Sequence, residues 1–443
     1  MFCINTETEL NVELLQKMIN RFVIDKQPKL EKYKNYFDGI QKILKKSYSD
    51  ESKPCNKTVI NYCRNIVCSY TGFIATPGYI SYSSSDDIEE IMNILRYNDF
   101  QSADNRLLED ALIYGVANEL MYIDNAGQVR FRLINPMNCF GIYDDSLTND
   151  LLYFVRMYKE SEWDNTDTYL VDVYSDYDIK HYKMVGMNGY LTFVGEEPHF
   201  FNQCPANILM MPDEKSIFDC VMSLQDSVNE IISCEIDEFS QFADAYIYFE
   251  GADFDIEEMK QMREARGFML PSGASVGYLT KAINDTQIEN VLKRLQDSIY
   301  RIAQCPDFSS ENFVGGVSSG VSIRFKLSGM EHKAGSIEAE MKKALQRRIE
   351  IICGIASLKY GEEVFRDINI DFKRNIPEDI TATIQLVNTL KGSVSDATLL
   401  SQLPFIDDVN AELEALQEQK SANMELYGFG AFGSTNTDEE DEE

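Results

Sequence analysis

The chain has 443 residues, 44% of them apolar, and a formal net charge of −32 from 73 acidic against 41 basic residues. Its length and apolar content allow two to four domains with substantial cores and exclude a disordered chain. The charge excludes a broad basic surface for tight nucleic-acid or anionic-membrane binding.

Six of the acids, Asp438, Glu439, Glu440, Asp441, Glu442 and Glu443, form a terminal run that reads as a solvated tail; the body stays acidic without them. The ten cysteines show no C-x-x-C or Cys/His zinc spacing, which predicts reduced, buried thiols in a cytosolic chain and no metal. No basic-then-apolar leader and no apolar run of roughly 18 residues is present, so no membrane role is expected.

In chain order, residues 10–48 read as helical and lysine-rich, with Lys26, Lys29, Lys32, Lys34, Lys42, Lys45 and Lys46. "NKTVINYCRNIVCSYTGFI" and "SADNRLLEDALIYGVANELMYI" carry apolar residues at three- and four-residue steps and predict two more helices. Around "IDNAGQV" the period changes to two. From Gln128 to about Met210, runs such as "VRFRLI", "LLYFVRMY" and "TYLVDVYS" between Asp, Asn and Gly turns predict an antiparallel meander. Trp163, His181 and His199 fall there without a partner at catalytic or ligand spacing and read as packing or surface residues.

After Pro212, Ile217, Val221, Leu224, Val228, Ile231, Ile232, Ile236, Phe239 and Ala243 keep a helical period, predicting a helix of nearly 30 residues, roughly 45 Å. Asp219, Asp226, Glu230 and Asp237 are spaced seven, four and seven and so share one face. That stripe is either an ordinary solvated face or an acidic wall lining a lumen. A compact α/β insert follows, then a helix from Thr286 to about Gln304 stopped by Pro306. Two helices bracketing an insert predict a projecting hairpin with a knob at its tip.

Residues 307–334, "DFSSENFVGGVSSGVSIRFKLSGMEHKA", place a Gly/Ser-rich loop before a helical pattern. A phosphate loop needs G-x-x-x-x-G-K-[ST] after a strand, and a dinucleotide loop needs G-x-G-x-x-G; neither is present. The loop hands over to apolar positions from Ile323 to Ile352 at three- and four-residue steps, one long helix of roughly 50 Å. Ser328 and Gly329 mark a kink. Lys342, Lys343, Arg347 and Arg348 cluster on its far half and suggest a contact between subunits.

The string "LQDSIYRIAQCPDFSSENFVGGVSSGVSIRFKLSGMEHKA" resembles the signature region of the portal proteins of tailed bacteriophages of the siphophage type. The similarity extends upstream to "YKNYFDGIQKIL" and "DALIYGVANELMYIDNAGQVRFRLINP" and downstream to "NIPEDITATIQLVNTLKGSVSDATLLSQLPFIDD", over about residues 25 to 415. It implies an α+β portal fold. The wing would be residues 1–212, the stem helices 213–245 and 285–305 with the clip at 246–284, and the tunnel loop 306–322. The long kinked wing helix would be 323–358, a wing strand 359–376, a short helical crown 377–424 and the acidic tail 425–443.

The resemblance further implies a homo-oligomeric ring, a dodecamer, at a capsid vertex of the virion, assembled in the host cytoplasm. Double-stranded DNA would pass through its channel. Its partners would be the terminase large subunit, a head-completion adaptor, and the major capsid and scaffolding proteins.

Ser309, Ser310, Glu311, Asn312, Phe313, Val314, Gly315, Gly316, Ser318, Ser319 and Gly320 would face the DNA, as a moving gasket of weak contacts. Asp219, Asp226, Glu230 and Asp237 would be candidate channel-lining acids, because a repulsive wall keeps a polyanion from sticking. An enzyme reading lacks a histidine, a cysteine nucleophile or a metal-spaced cluster to give it shape, and no cofactor is implied. A cytosolic helical scaffold without a DNA channel is the alternative, and it predicts small oligomers without a pore.

Overall fold

The computed structural model describes residues 2–5, 8–50, 53–161, 163, 167–186, 189–242, 247–251, 254–265, 267, 270–278, 285–309, 320–360, 364–374, 380–400, 403, 409, 412–413, 415–417 and 419. They fall into two units, Met1–Val314 with Leu327–Asn375, and Gly315–Lys326 with Ile376–Glu443. Helix and sheet are mixed, as α+β requires.

The first unit opens with strand β1 (Phe2–Ile4) and helix α1 (Val12–Arg21), whose first turn is capped by Asn11 Oδ1 accepting from Leu14 N at 2.9 Å. A π-helical turn, Phe22–Lys26, leads into α2 (Gln27–Asp38), and a 3-10 turn follows at Lys42–Lys45. Then come α3 (Tyr62–Ile74), β2 (Ile80–Ser83), α4 (Glu89–Tyr97), α5 (Phe100–Tyr114) and β3 (Val116–Ile123).

Two helices expected here are shorter than their apolar periodicity suggests. Residues 56–61 are not helical, and α3 begins only after Asn61. The second helix stops at Gly115, a left-handed residue (φ 81°), and "VANELMYI" is a strand. A Cβ at 115 would lie 2.6 Å from the Lys215 backbone nitrogen, so only glycine fits this corner.

Strands β4 (Val129–Ile134), β5 (Cys139–Asp144), β6 (Leu151–Lys159), β7 (Thr168–Tyr174), β8 (Asp178–Val185), β9 (Thr192–Pro198) and β10 (Ala206–Met210) occupy the predicted meander. They do not form one sheet. β5 to β9 pair in sequence and gain β1, parallel to β5, at one edge; β10 and β4 flank β3 in a separate antiparallel sheet. The core between them collects Leu120, Cys139, Phe154, Tyr174, Cys204 and Ala206.

Two 3-10 turns, Pro212–Glu214 and Asp219–Val221, precede α6 (Met222–Phe242), so the predicted long helix starts later than its apolar pattern. Strand β11 (Ile247–Glu250), helix α7 (Ile256–Ala265) and strand β12 (Ser275–Tyr278) form the insert, with β11 and β12 antiparallel, before α8 (Asp285–Ala303) packs on α6. Helix α9 (Gly320–Tyr360) begins in the second unit. From Leu327 on it belongs to the first, where Leu327, Met330, Ala334, Ile337, Met341, Leu345, Ile349 and Ile352 are all buried. Each such larger side chain contributes about 1.5–3 kcal/mol. Strand β13 (Asn369–Phe372) pairs antiparallel with β2.

The second unit holds α10 (Ile380–Leu390) and α11 (Asp396–Leu400). No helix among the described residues is long and apolar enough to cross a membrane. The ten cysteines are free, but Cys3, Cys68 and Cys220 are exposed, so burial holds for only part of the set.

Candidate functional site

Helix α6 is the element on which the functional reading of the sequence rests. One of its faces is polar and buried: Gln225, Asn229, Ser233 and Asp237 follow at four-residue steps. Each accepts a hydrogen bond from a backbone N–H of residues 56–62, a strap whose last residue opens α3. Tyr62 donates to Gln225 Oε1 at 3.0 Å, Ile60 to Asn229 Oδ1 at 3.0 Å, Thr58 to Ser233 Oγ at 3.0 Å and Asn56 to Asp237 Oδ1 at 2.6 Å.

Alternate residues of the strap thus pair with every fourth residue of the helix. Four helical residues rise about 6.0 Å and two extended residues about 6.7 Å, so a helix face here stands in for a neighbouring strand. Gln225 Nε2 adds a bond to Ile60 O within the ladder, and Asn229 Nδ2 braces it from outside by donating to Gln41 Oε1, both at 2.5 Å. Sequence reading missed this feature; its signal was the i, i+4 run of short polar residues inside an apolar helix.

The four proposed channel acids are spent differently from the expectation. Asp219 lies in the 3-10 turn before α6 and accepts from Tyr33 Oη at 2.7 Å. Asp226 accepts from Tyr36 Oη at 2.8 Å. Asp237 is buried and also takes Asn56 Nδ2 at 2.8 Å, Tyr48 Oη at 3.2 Å and Lys46 Nζ at 3.4 Å. Glu230, more exposed, pairs with Lys46 at 3.3 Å.

The stripe is therefore the seat of the chain's own lysine- and tyrosine-rich N-terminal segment, which corrects the reading of Asp219, Asp226 and Asp237 as free wall charges. Burial alone would raise Asp237, but the hydrogen bonds from Asn56, Lys46 and Tyr48 outweigh it and hold the carboxyl below its usual range. Burial would lower Lys46, yet its hydrogen bonds to Tyr48, Cys234 and Glu230 keep it charged. Burial and then the facing carboxylates push Tyr33 and Tyr36 up, so both phenols stay protonated donors.

The proposed intersubunit basic cluster divides. Lys342 and Lys343 are exposed, Lys343 beside Glu340 at 2.9 Å. Arg347 is half-buried and donates to Gln203 Oε1 at 2.7 Å and Glu350 Oε2 at 2.8 Å. Arg348 is wholly buried and cannot meet another subunit. Its guanidinium bonds Glu119 through Nε at 2.8 Å and Nη2 at 3.0 Å, contacts Asp104 through Nη1, and lies 4.6 Å from the Phe131 ring centre. Tyr82 donates to Asp104 at 3.1 Å and Asn207 to Glu119 at 3.1 Å. Burial acts against the charge on Arg348, but the two carboxylates prevail and hold it protonated.

Of the proposed tunnel loop, Ser310 to Ser319, with Glu311, Asn312, Phe313, Val314, Gly315, Gly316 and Ser318 among them, lie outside the described residues. Its near anchor is ordered. Gln304 turns left-handed (φ 55°), and Tyr70 Oη donates to Ala303 O at 3.0 Å and Gln304 O at 3.1 Å. Lys333 Nζ of α9 reaches Ala303 O at 3.3 Å, closing the C-terminus of α8 as a cation should. Burial pulls Lys333 below the usual lysine range. Asp307 takes Ser309 N at 3.0 Å and Ser309 Oγ at 2.7 Å. Helix α9 continues through Ser328 and Gly329 without interruption.

His181 has a partner after all: cross-strand pairing of β7 with β8 sets it against buried Asp172, Nδ1 to Oδ1 2.7 Å. Glu197 of β9 lies 3.7 Å from its Nε2, which makes the group a latch across three strands.

The family model for phage portal proteins of the SPP1 Gp6-like type matches residues 23–426. The portal protein of Bacillus phage SPP1 is 21% identical over 95% of this chain and 86% of its own length. The portal protein of Clostridium phage phiCD119 is 23% identical over 66% of this chain and 67% of its own. With a match this extensive, through both helices of the hairpin and most of the second unit, the chain belongs to the SPP1 Gp6-like family of phage portal proteins.

Proposed function

We propose that the chain forms a ring at one capsid vertex, the channel through which double-stranded DNA is packaged and later ejected. The observation that carries this reading is the family match across residues 23–426. The helix–insert–helix order of α6, β11, α7, β12 and α8 agrees with it. In this reading residues 213–245 and 285–305 are the stem and 246–284 the clip that meets the terminase large subunit and then the head-completion adaptor. Residues 1–212 and 323–376 are the wing, 306–322 the tunnel loop around the DNA, 377–424 the crown and 425–443 a solvated tail. Capsid and scaffolding proteins surround the ring in the virion. The role is structural, and the chain's chemistry is that of contact and repulsion.

Electron microscopy of the purified protein beside light scattering tests this. The expected result is rings with a central hole and a mass near twelve times the 50.7 kDa of one chain. Particles that stay small and poreless at every concentration and salt would overturn it.

A further inference from the structure

Basic charge is segregated in this acidic chain. Residues 26–64 hold ten basic against four acidic residues, leaving the remainder at −38. Some of that charge is used internally, on Asp237, Glu230 and Glu214. Lys42 and Lys45 are exposed on the 3-10 turn beside Leu44 (39% exposed), and Lys57 Nζ joins them by donating to Leu44 O at 3.0 Å. With Asp226, Ser227, Glu230 and Ile231 of α6, this turn walls an open groove.

A second surface has the opposite character. Strand β9 is the outer strand of the six-stranded sheet and pairs, among the described residues, with β8 alone. It exposes Phe193 (51%) and Val194 (62%) beside the exposed carboxylates Glu196 and Glu197. An edge strand that exposes apolar side chains is a site for association unless something covers it.

The two surfaces lie on different elements. Leu191, one residue before β9, donates to Gln16 Oε1 of α1 at 2.9 Å, whereas Phe22, just past α1, stacks on Phe140 of β5 at 5.0 Å. Along the chain, α1 therefore runs from a contact beside the start of β9 to one on β5, and α2 leads on from there to the basic turn. Two dissimilar, complementary patches are what a head-to-tail contact requires, and such contacts make a ring where the rotation between copies closes.

We infer that the Lys42–Lys45 turn, with Lys57, docks on the acidic, apolar β9 edge of a second copy of this chain. The inference rests on the ring reading and names the surface that closes it. Charge complementarity selects the occupant, because a copy of this chain, −38 outside residues 26–64, presents the turn with an acidic partner.

The test uses the full chain at low salt, read by light scattering and ring counts in electron micrographs. Lys42→Glu with Lys45→Glu should cut ring yield about tenfold or more, and Glu196→Lys with Glu197→Lys should do the same. Milder Lys42→Gln with Lys45→Gln, which keeps the fold's contacts without adding repulsion, should fall between. Mixing the two reversed chains should restore rings of alternating composition, since each reversed patch then meets its complement. Rings at unaltered yield from the lysine-reversed chain would overturn the surface assignment while leaving the ring itself standing. Intact rings that instead lose DNA retention would make the turn a nucleic-acid contact and equally overturn it. Absence of rings from the unaltered chain would remove the ring reading and the inference with it.

Discussion

Replacing Asn229 by alanine tests whether α6 holds the strap 56–62 as a strand would. Asn229 is fully buried, and its amide accepts from Ile60 N at 3.0 Å and donates to Gln41 Oε1 at 2.5 Å. Alanine leaves the buried Gln41 Oε1 and the part-buried Ile60 N–H without their counterpart, at about 1–3 kcal/mol for each group that no water reaches. Some relaxation is open to Gln41, so the expected local loss is about 2–3 kcal/mol. At about 1.4 kcal/mol per tenfold change, backbone amides of 58–62 should exchange with deuterium roughly 30- to 150-fold faster. Hydrogen exchange read on peptides covering the strap measures this, whatever the oligomeric state. Ser227→Ala is the control. Ser227 lies on the exposed face of the same helix and, among the described residues, bonds Ser223 O, so strap exchange should not move. Unchanged protection in Asn229→Ala, or equal acceleration in the control, would refute the ladder.

Three further outcomes follow from the same geometry. Arg348→Met should destabilise the first unit by about 3–5 kcal/mol in thermal unfolding, since it strands Asp104 and Glu119; adding Asp104→Asn and Glu119→Gln should recover much of the loss. Asp110 is pushed up to about 6 by burial and then by Glu109. The folded state therefore holds this proton more tightly than the unfolded chain, and its stabilisation is full below about pH 4 and lost as pH rises through 6. Asp110→Asn should raise stability at pH 7.5 by about 1–2 kcal/mol and flatten denaturation midpoints between pH 5 and 7.5. Gly115→Ala should lose about 2 kcal/mol or more, or fail to yield soluble protein, because a Cβ there meets Lys215 and the φ is left-handed; a melting temperature equal to that of the unaltered protein would refute the close approach.

Periodicity made the long helices legible and left their partners hidden. The stripe from Leu327 to Ile352 is buried as its spacing demands, because a one-sided apolar pattern can be satisfied only by a core. The same reasoning misplaced the start of α3, since "NKTVIN" carries a helical pattern of apolar residues yet finds its backbone partners on α6. It also carried the second helix through Gly115, where a close backbone approach from residue 215 decides the matter. Those outcomes depend on contacts between residues more than 90 apart in sequence, which local pattern does not encode. Arg348 shows the limit for charge: four basic residues within seven positions look like one surface cluster, but the helix turns one of them fully inward between two acids.

The acid stripe shows why charge alone misdirects in this chain. Asp219, Asp226 and Asp237 bind Tyr33, Tyr36 and the Lys46–Tyr48–Asn56 group, so lysine at 226 and 237 would first break the seat of the N-terminal segment. Loss of packaging in such a variant would then report loss of fold, with no bearing on a channel wall. Glu230 separates the two effects, since its carboxylate is exposed and its ion pair with Lys46 leaves that lysine its bond to Asp237. If α6 contributes repulsion to a passing polyanion, Glu230→Gln should leave ring yield and strap exchange unchanged while slowing DNA passage, and more so at low salt, where the Debye length is longest. Equal packaging rates at both ionic strengths would place the non-stick surface on other acids of the ring.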